Sequence, residues 1–122
     1  MSDAIFICDA EALIDGGKGV RFPVTAGGEP ATAFVVRYGQ QPQAYLNRCA
    51  HVPMELDWTP GEFFESSGLY IMCATHGALY EPETGRCAGG PCRGGRLHKI
   101  PVFEQDGRIF WQPDDYLRPA IA

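Results

Sequence analysis

Two short hooks in this sequence carry residues able to bind a metal. The first is Cys49-Ala50-His51 and the second is Cys73-Ala74-Thr75-His76. Each pairs one cysteine with one histidine, and the 21 residues from Val52 to Met72 separate them. Only a fold can therefore bring the hooks together. Thiolates are soft donors that hold iron–sulfur clusters, and imidazole suits iron and zinc alike. A [2Fe–2S] centre needs four terminal ligands, and imidazoles can replace the thiolates on one of its irons. Zinc accepts the same donor types, but a zinc finger pairs Cys with Cys and His with His ahead of a helix. Here both hooks are mixed and no helical pattern follows. The donor set reads as an iron–sulfur centre of mixed ligation, with zinc or another metal, or a degenerate site, as the alternatives.

With Gly77 after the second hook, Tyr80 three residues beyond it, and Thr84-Gly85 following, the pattern resembles the Rieske iron–sulfur family. It is most similar to the small Rieske ferredoxins that serve ring-hydroxylating oxygenases. The motif covers about residues 45 to 103, and the spacing between hooks is longer than the ferredoxin norm. The resemblance implies that Cys49 and Cys73 bind one iron of a single [2Fe–2S] cluster. His51 and His76 would bind the iron that takes the electron, with their exposed ring edges as its exit. Tyr80 matches an aromatic position whose phenol bonds a cysteine sulfur. Respiratory members carry an inter-loop disulfide and a serine hydroxyl near the cluster. The matching positions here hold Met54, Thr75 and Ala78. Hydrogen bonds to sulfur stabilise the reduced state. Their loss points to a potential low in the Rieske range, roughly −150 to +50 mV.

The insertion Trp58 to Gly68, with the acids just before it, combines Glu55, Asp57, Glu62 and Glu65 with Trp58, Phe63 and Phe64. It reads either as a loop pinned by its aromatics or as a docking surface beside the cluster. From Arg86 to Lys99 the sign reverses: Arg86, Arg93, Arg96 and Lys99 occur without an acid. Within it, Gly89-Gly90-Pro91 resembles the proline loop that covers the cluster in this family, where glycine permits close backbone approach and proline stiffens the cover. Basic residues there would raise the potential, opposing the loss at Ala78. Cys87 and Cys92 flank this loop and read as reduced thiols in a cytosol, with a disulfide or another metal left open. Cys8 sits on an apolar strand as a core residue, and His98 reads as an ordinary polar side chain.

The elements that must position the hooks are short and punctuated by Gly and Pro. Strands are expected at Ile5 to Cys8, Val20 to Thr25, Thr32 to Tyr38, and Leu69 to Met72. Ala44 to Asn47 leads into the first hook, and Leu79-Tyr80 continues from the second. Asp9 to Leu13 suits a single helical turn. Gly27-Gly28-Glu29-Pro30 and Gly39 to Pro42 read as turns. The clearest hairpin joins Lys99 to Glu104 with Arg108 to Gln112 through Asp106-Gly107, a pair that favours a type I′ turn. Pro113 to Ala122 reads as a loose or extended tail. The expected fold is all-β: a Rieske-like antiparallel β-sandwich or barrel, residues 1–122 as one domain, with a small cluster-binding subdomain at about 47–98.

The chain has 122 residues, with fifteen acids against ten bases and a net charge of −5. That balance argues against nucleic acid, whose phosphates demand a basic face. It suits a partner with a basic docking surface. No stretch has the length and apolarity of a membrane span, and the N-terminus lacks the features of a secretory signal. The expectation is a cytoplasmic protein without a membrane anchor, a monomer or weak oligomer. No nucleotide fingerprint occurs, since the glycines at Gly16-Gly17-Lys18-Gly19 form no phosphate loop. The length leaves no room for a mononuclear-iron oxygenase domain. The resemblance implies an electron carrier rather than an enzyme, passing single electrons from a flavin reductase to a terminal oxygenase. The alternatives are a small Rieske-like subunit of a larger reductase, of the nitrite reductase type, and a redox-sensing metal-binding module.

Overall fold

The computed structural model describes residues 4–50, 54–57 and 59–120. The organising strand is β3, Glu29–Tyr38, whose run Ala33-Phe34-Val35-Val36 is fully buried on both faces. Successive side chains of a strand point to opposite faces, so a strand apolar at every position must be covered twice. Ala33 and Val35 enter one core, and Phe34 and Val36 enter another. The neighbouring strand β4, Gln41–Leu46, divides likewise: Ala44 and Leu46 face the first core and Tyr45 the second.

These strands form the middle layer. With β2 (Val20–Ala26), β8 (Lys99–Ile100) and β11 (Leu117–Pro119) they build a five-stranded antiparallel sheet in the order β11-β2-β3-β4-β8. Against its first face lies a three-stranded sheet, with β10 (Arg108–Trp111) between β1 (Ile5–Asp9) and β9 (Val102–Gln105). Ile109 and Trp111 bury into the shared core, where Trp111 packs on Phe22. Against the second face lies a small sheet of β5 (Ile71–Met72), β6 (Leu79–Tyr80) and β7 (Cys87–Gly89). The second hook is the turn between β5 and β6 of this sheet, and the expected antiparallel all-β architecture is the one found.

Several boundaries differ from the expectation. A 3₁₀ turn at Ala10–Ala12 occupies the predicted helical turn. The turn after β2 narrows to Gly27-Gly28, both with positive φ, and Glu29 and Pro30 join β3. The turn after β3 narrows to Gly39-Gln40, and β4 begins at Gln41. Leu69 and Tyr70 fall outside β5. The chain switches sheets at Pro101: Lys99 and Ile100 pair with β4, and only Val102 onward forms the hairpin. Asp106 and Gly107 have φ of 55° and 74° at its turn, as type I′ geometry requires. The tail is not loose, because Leu117 is buried and Leu117–Pro119 pairs with the edge strand β2. An edge strand with unpaired backbone groups recruits such a segment.

Candidate metal centre

The first hook leaves the end of β4 at Leu46. Asn47 N–H donates to Thr32 O at 2.8 Å, and Cys49 N–H donates to Met54 O at 2.8 Å, closing the loop. The Asn47 side chain then locks it. Its Oδ1 accepts from Leu56 N–H at 2.8 Å, and its Nδ2 donates to Asp57 Oδ1 at 2.8 Å. Asp57 is buried and also accepts from Gly61 N–H at 3.0 Å, with Arg21 Nε at 3.8 Å. A buried carboxylate is tolerable only with this degree of hydrogen bonding and a nearby cation. Sequence reasoning missed the roles of Asn47 and Arg21, and it placed Asp57 only among the acids of a possible docking surface. Most of their contacts span nine or more positions, and no local pattern marks them.

The second hook is the turn between β5 and β6. Cys73 N–H donates to Ala78 O at 2.8 Å, and Gly77 N–H returns to Cys73 O at 2.9 Å. Ala74 N–H donates to Leu56 O at 2.9 Å, which ties this hook to the segment locked by Asn47. The two thiols, Cys49 and Cys73, are 4% and 1% exposed. Burial pushes the Cys73 thiol above its ordinary value. The Thr75 backbone N–H opposes that rise and neighbouring Cys49 adds to it. Two buried sulfurs that hinder each other's ionisation become stable thiolates only with a compensating cation, since metal ligation requires deprotonated sulfur.

Tyr80 supplies the expected phenol. Its oxygen is 3.2 Å from Cys49 Sγ and accepts Ala50 N–H at 3.1 Å, which puts the phenol O–H within donating distance of a thiolate at Cys49. Burial first, and the Cys49 sulfur second, push the phenol's ionisation far up, so it stays a donor. Of the other ligands, His76 is exposed and His51 lies outside the described residues. Among the described residues no group of three metal-ligating side chains is assembled. What comes together is the cysteine pair. Ala78 is fully buried beside it, without a hydroxyl to offer. The Thr75 hydroxyl is also buried and has no partner among the described residues. An orphaned donor between a cysteine and a histidine fits an acceptor that the protein itself does not supply, such as a cluster sulfide.

The third side is closed by β7 and the loop after it. Gly90 has φ of 82°, and a Cβ there would lie 3.1 Å from Ala78 Cα and from Gly77 O. Only glycine brings this backbone so close to the second hook. A Cβ on Gly95 would come within 3.0 Å of Ala50 Cβ, so the same segment reaches the first hook. The expectation of reduced thiols at Cys87 and Cys92 is corrected: the two form a disulfide with Cα atoms 5.6 Å apart. The glycine-proline turn folds the flanking positions back to a separation that a disulfide spans without backbone movement.

The insertion is pinned. Phe63 is fully buried and stacks on Phe34 with centroids 3.8 Å apart, and Phe64 lies against Tyr38. Trp58 lies outside the described residues. Of the proposed docking acids, Asp57 is buried, and Glu55 takes both its oxygens to Arg21 at 2.8 Å. Ser67 hydrogen bonds hold the Glu65 carboxyl below its ordinary range. His98 is exposed against the Tyr116 ring, and Cys8 packs at the margin of the first core.

Comparison with known proteins gives this arrangement a family. None of the curated proteins matches the chain. Among solved structures, the ferredoxin of carbazole 1,9a-dioxygenase from Nocardioides aromaticivorans IC177 is similar in fold, with TM-score 0.72 and 24% identity. The alignment covers 93% of this chain and 100% of that one. A chain in the complex of reduced oxygenase and oxidized ferredoxin in carbazole 1,9a-dioxygenase is 26% identical, with TM-score 0.68 over 88% of this chain and 91% of that one. The terminal oxygenase of the Nocardioides system shares the fold over 97% of this chain but 32% of its own length, at 18% identity and TM-score 0.73. The model of the Rieske [2Fe-2S] domain matches residues 4–114. With nearly the whole chain matched and the buried thiol pair, tyrosine and glycine cover in place, this chain belongs to the Rieske [2Fe-2S] domain family, whose cofactor is a [2Fe–2S] cluster.

Proposed function

We propose that Cys49, His51, Cys73 and His76 hold one cluster per chain, and that the protein carries single electrons from a flavin-containing reductase to a terminal oxygenase. The carrying observation is the buried Cys49–Cys73 pair with the Tyr80 phenol 3.2 Å from the Cys49 sulfur. When bound, the cluster supplies reversible one-electron exchange at the iron held by imidazoles. The protein's own residues do the rest. Cys49 and Cys73 fix the buried end. Tyr80 and Thr75 direct hydroxyls to sulfur and favour the reduced, more negative state. Gly90 and the disulfide-closed loop exclude water from the third side. His76, exposed on the second hook, provides an outlet for the electron.

Residues 1–122 act as one domain, with the cluster-binding part at about 47–98. The protein is a carrier without a substrate site of its own. No described helix is long and apolar enough to cross a membrane, and the cytoplasm is the proposed compartment. The match to a chain of an oxygenase–ferredoxin complex supports the choice of an oxygenase as electron acceptor.

The test is EPR of the dithionite-reduced protein, with iron and acid-labile sulfide measured on the same sample. We expect a rhombic signal of low average g, and equal amounts of iron and sulfide. Zinc without iron, or no metal in protein purified anaerobically, overturns the assignment.

A further inference from the structure

The charge around the hooks is opposite to the charge of the chain. The segments that form the site are 47–54, 73–80 and 86–99, and none contains an acid. They contribute Arg48, Arg86, Arg93 and Arg96, all exposed. Among the described residues none of these four forms an ion pair; the ion pairs belong to Arg21 and Arg37. The acids nearest in sequence to the first hook are already engaged, Glu55 by Arg21 and Asp57 in the buried network.

The fold gathers the arginines. Arg86 and Arg96 are directly opposite in an antiparallel bridge. Gly95, next to Arg96 and two residues from Arg93, packs against Ala50 of the first hook. Arg48 is two residues before Ala50, and one Cα step is ~3.8 Å. Arg48 and Arg93 therefore lie on the two segments that meet where Gly95 reaches Ala50 of the first hook, with Arg86 and Arg96 following on the second of them. Arg48 and Arg93 make no described side-chain hydrogen bond, and Arg96 only a 3.3 Å bond to Thr84 O. Exposed Met54 adds an apolar contact at the same end. Glu81 and Glu83 flank the Arg86–Arg96 end, where Glu81 N–H donates to Arg86 O at 2.9 Å and both acids act with Arg96 on Tyr45. Arg48 and Arg93 have no such acid beside them, and like charges gathered without counter-charges oppose folding.

We propose that this arginine collar is the docking surface for an acidic recess on the protein partner that exchanges electrons with the cluster. The inference rests on the proposed electron-carrier function. It reverses the expectation drawn from net charge, which called for a basic partner surface. Arg guanidinium groups match carboxylates with planar, paired hydrogen bonds, and a local potential steers encounter more effectively than a distant net charge screened by salt.

The experiment uses the cluster-loaded, reduced protein, with loading first verified by EPR. Absence of the EPR signal refutes the carrier reading; the collar is judged on loaded protein. Two one-electron oxidants of opposite charge are compared. Ferricyanide takes one electron from the protein to give ferrocyanide, and tris(phenanthroline)cobalt(III) takes one to give the cobalt(II) complex. Ionic strength is raised from about 0.01 M to about 0.1 M, which shortens the screening length from ~30 Å to ~10 Å. Ferricyanide oxidation should slow about tenfold, as attraction is screened, and the cobalt reaction should quicken. The Arg48→Gln/Arg93→Gln variant should flatten both slopes. Redox-inert hexacyanocobaltate(III) should shift the arginine Nε–H NMR signals of the collar, a binding readout that involves no electron transfer. Either slope with the opposite sign, slopes unchanged in the variant, or shifts confined to other arginines would overturn the collar while leaving the carrier intact.

Discussion

At the scale of single residues, the site is tuned by hydroxyls. Ala78 removes the serine-type donor, as the sequence indicates, but the Tyr80 phenol remains 3.2 Å from the Cys49 sulfur, and the buried Thr75 hydroxyl is without a partner among the described residues. A hydrogen bond to sulfur stabilises the reduced state, so its removal lowers the potential. We predict a potential of roughly −150 to +50 mV for the parent protein, and a lower one for Tyr80→Phe at the same pH. Protein-film voltammetry measures both. Phe retains the ring, so the EPR spectrum should keep its form, separating lost donation from lost ligation. An unchanged or raised potential in Tyr80→Phe refutes the role given to the phenol. The substitution also strands Ala50 N–H, at a stability cost of about 1 kcal/mol.

At the scale of elements, the loop after β7 substitutes local closure for the inter-loop disulfide that Met54 and Thr75 preclude. The Cys87–Cys92 bond spans a sequence separation of 5. Closing so small a loop stabilises by about 2 kcal/mol in the chain-entropy model. We predict that Cys87→Ala/Cys92→Ala lowers the unfolding free energy by that amount and speeds hydrogen exchange at the Gly90 to Arg93 amides. Unchanged exchange there would mean that Gly90 packing alone, not the disulfide, holds the cover. The insertion between hooks is a second such element. The Phe63 ring on Phe34 and the Asn47–Asp57 lock fasten it to the middle sheet, so its length does not loosen the hooks.

At the scale of the whole molecule, the middle sheet joins the two cores, and Tyr45 joins the sheet to the cover. Its ring is fully buried, and its hydroxyl donates to Pro82 O at 2.7 Å. Gly85 permits this, since a Cβ there would lie 2.7 Å from the ring. Burial, chiefly, pushes the Tyr45 ionisation far above its ordinary value; nearby Arg96 opposes the shift, and Glu83 and Glu81 add to it. A raised folded-state value for an acid means that folding favours the neutral form. This contribution is therefore complete below the unfolded tyrosine value of about 10 and declines as pH rises above it. We predict that the denaturation midpoint falls above about pH 10, and less steeply in Tyr45→Phe. Parallel curves for the two proteins across that range would exclude Tyr45 as the cause.

The sequence by itself determined the donor types, the all-β class, the family motif and the turn at Asp106-Gly107. Each is written in short spacing or in the backbone preference of one or two residues. The residues from Thr32 to Tyr38 also announced a strand, though only the fold showed that both its faces are covered. Local pattern could not reach the contacts between segments distant in the chain. Only the tertiary structure decided that Asn47 and Asp57 lock the first hook, that Leu117–Pro119 completes a sheet edge, and that Cys87 and Cys92 meet. The collar has the same origin: net charge sums over the chain regardless of place, whereas the field at the hooks depends on which arginines the fold gathers and which acids it pairs elsewhere.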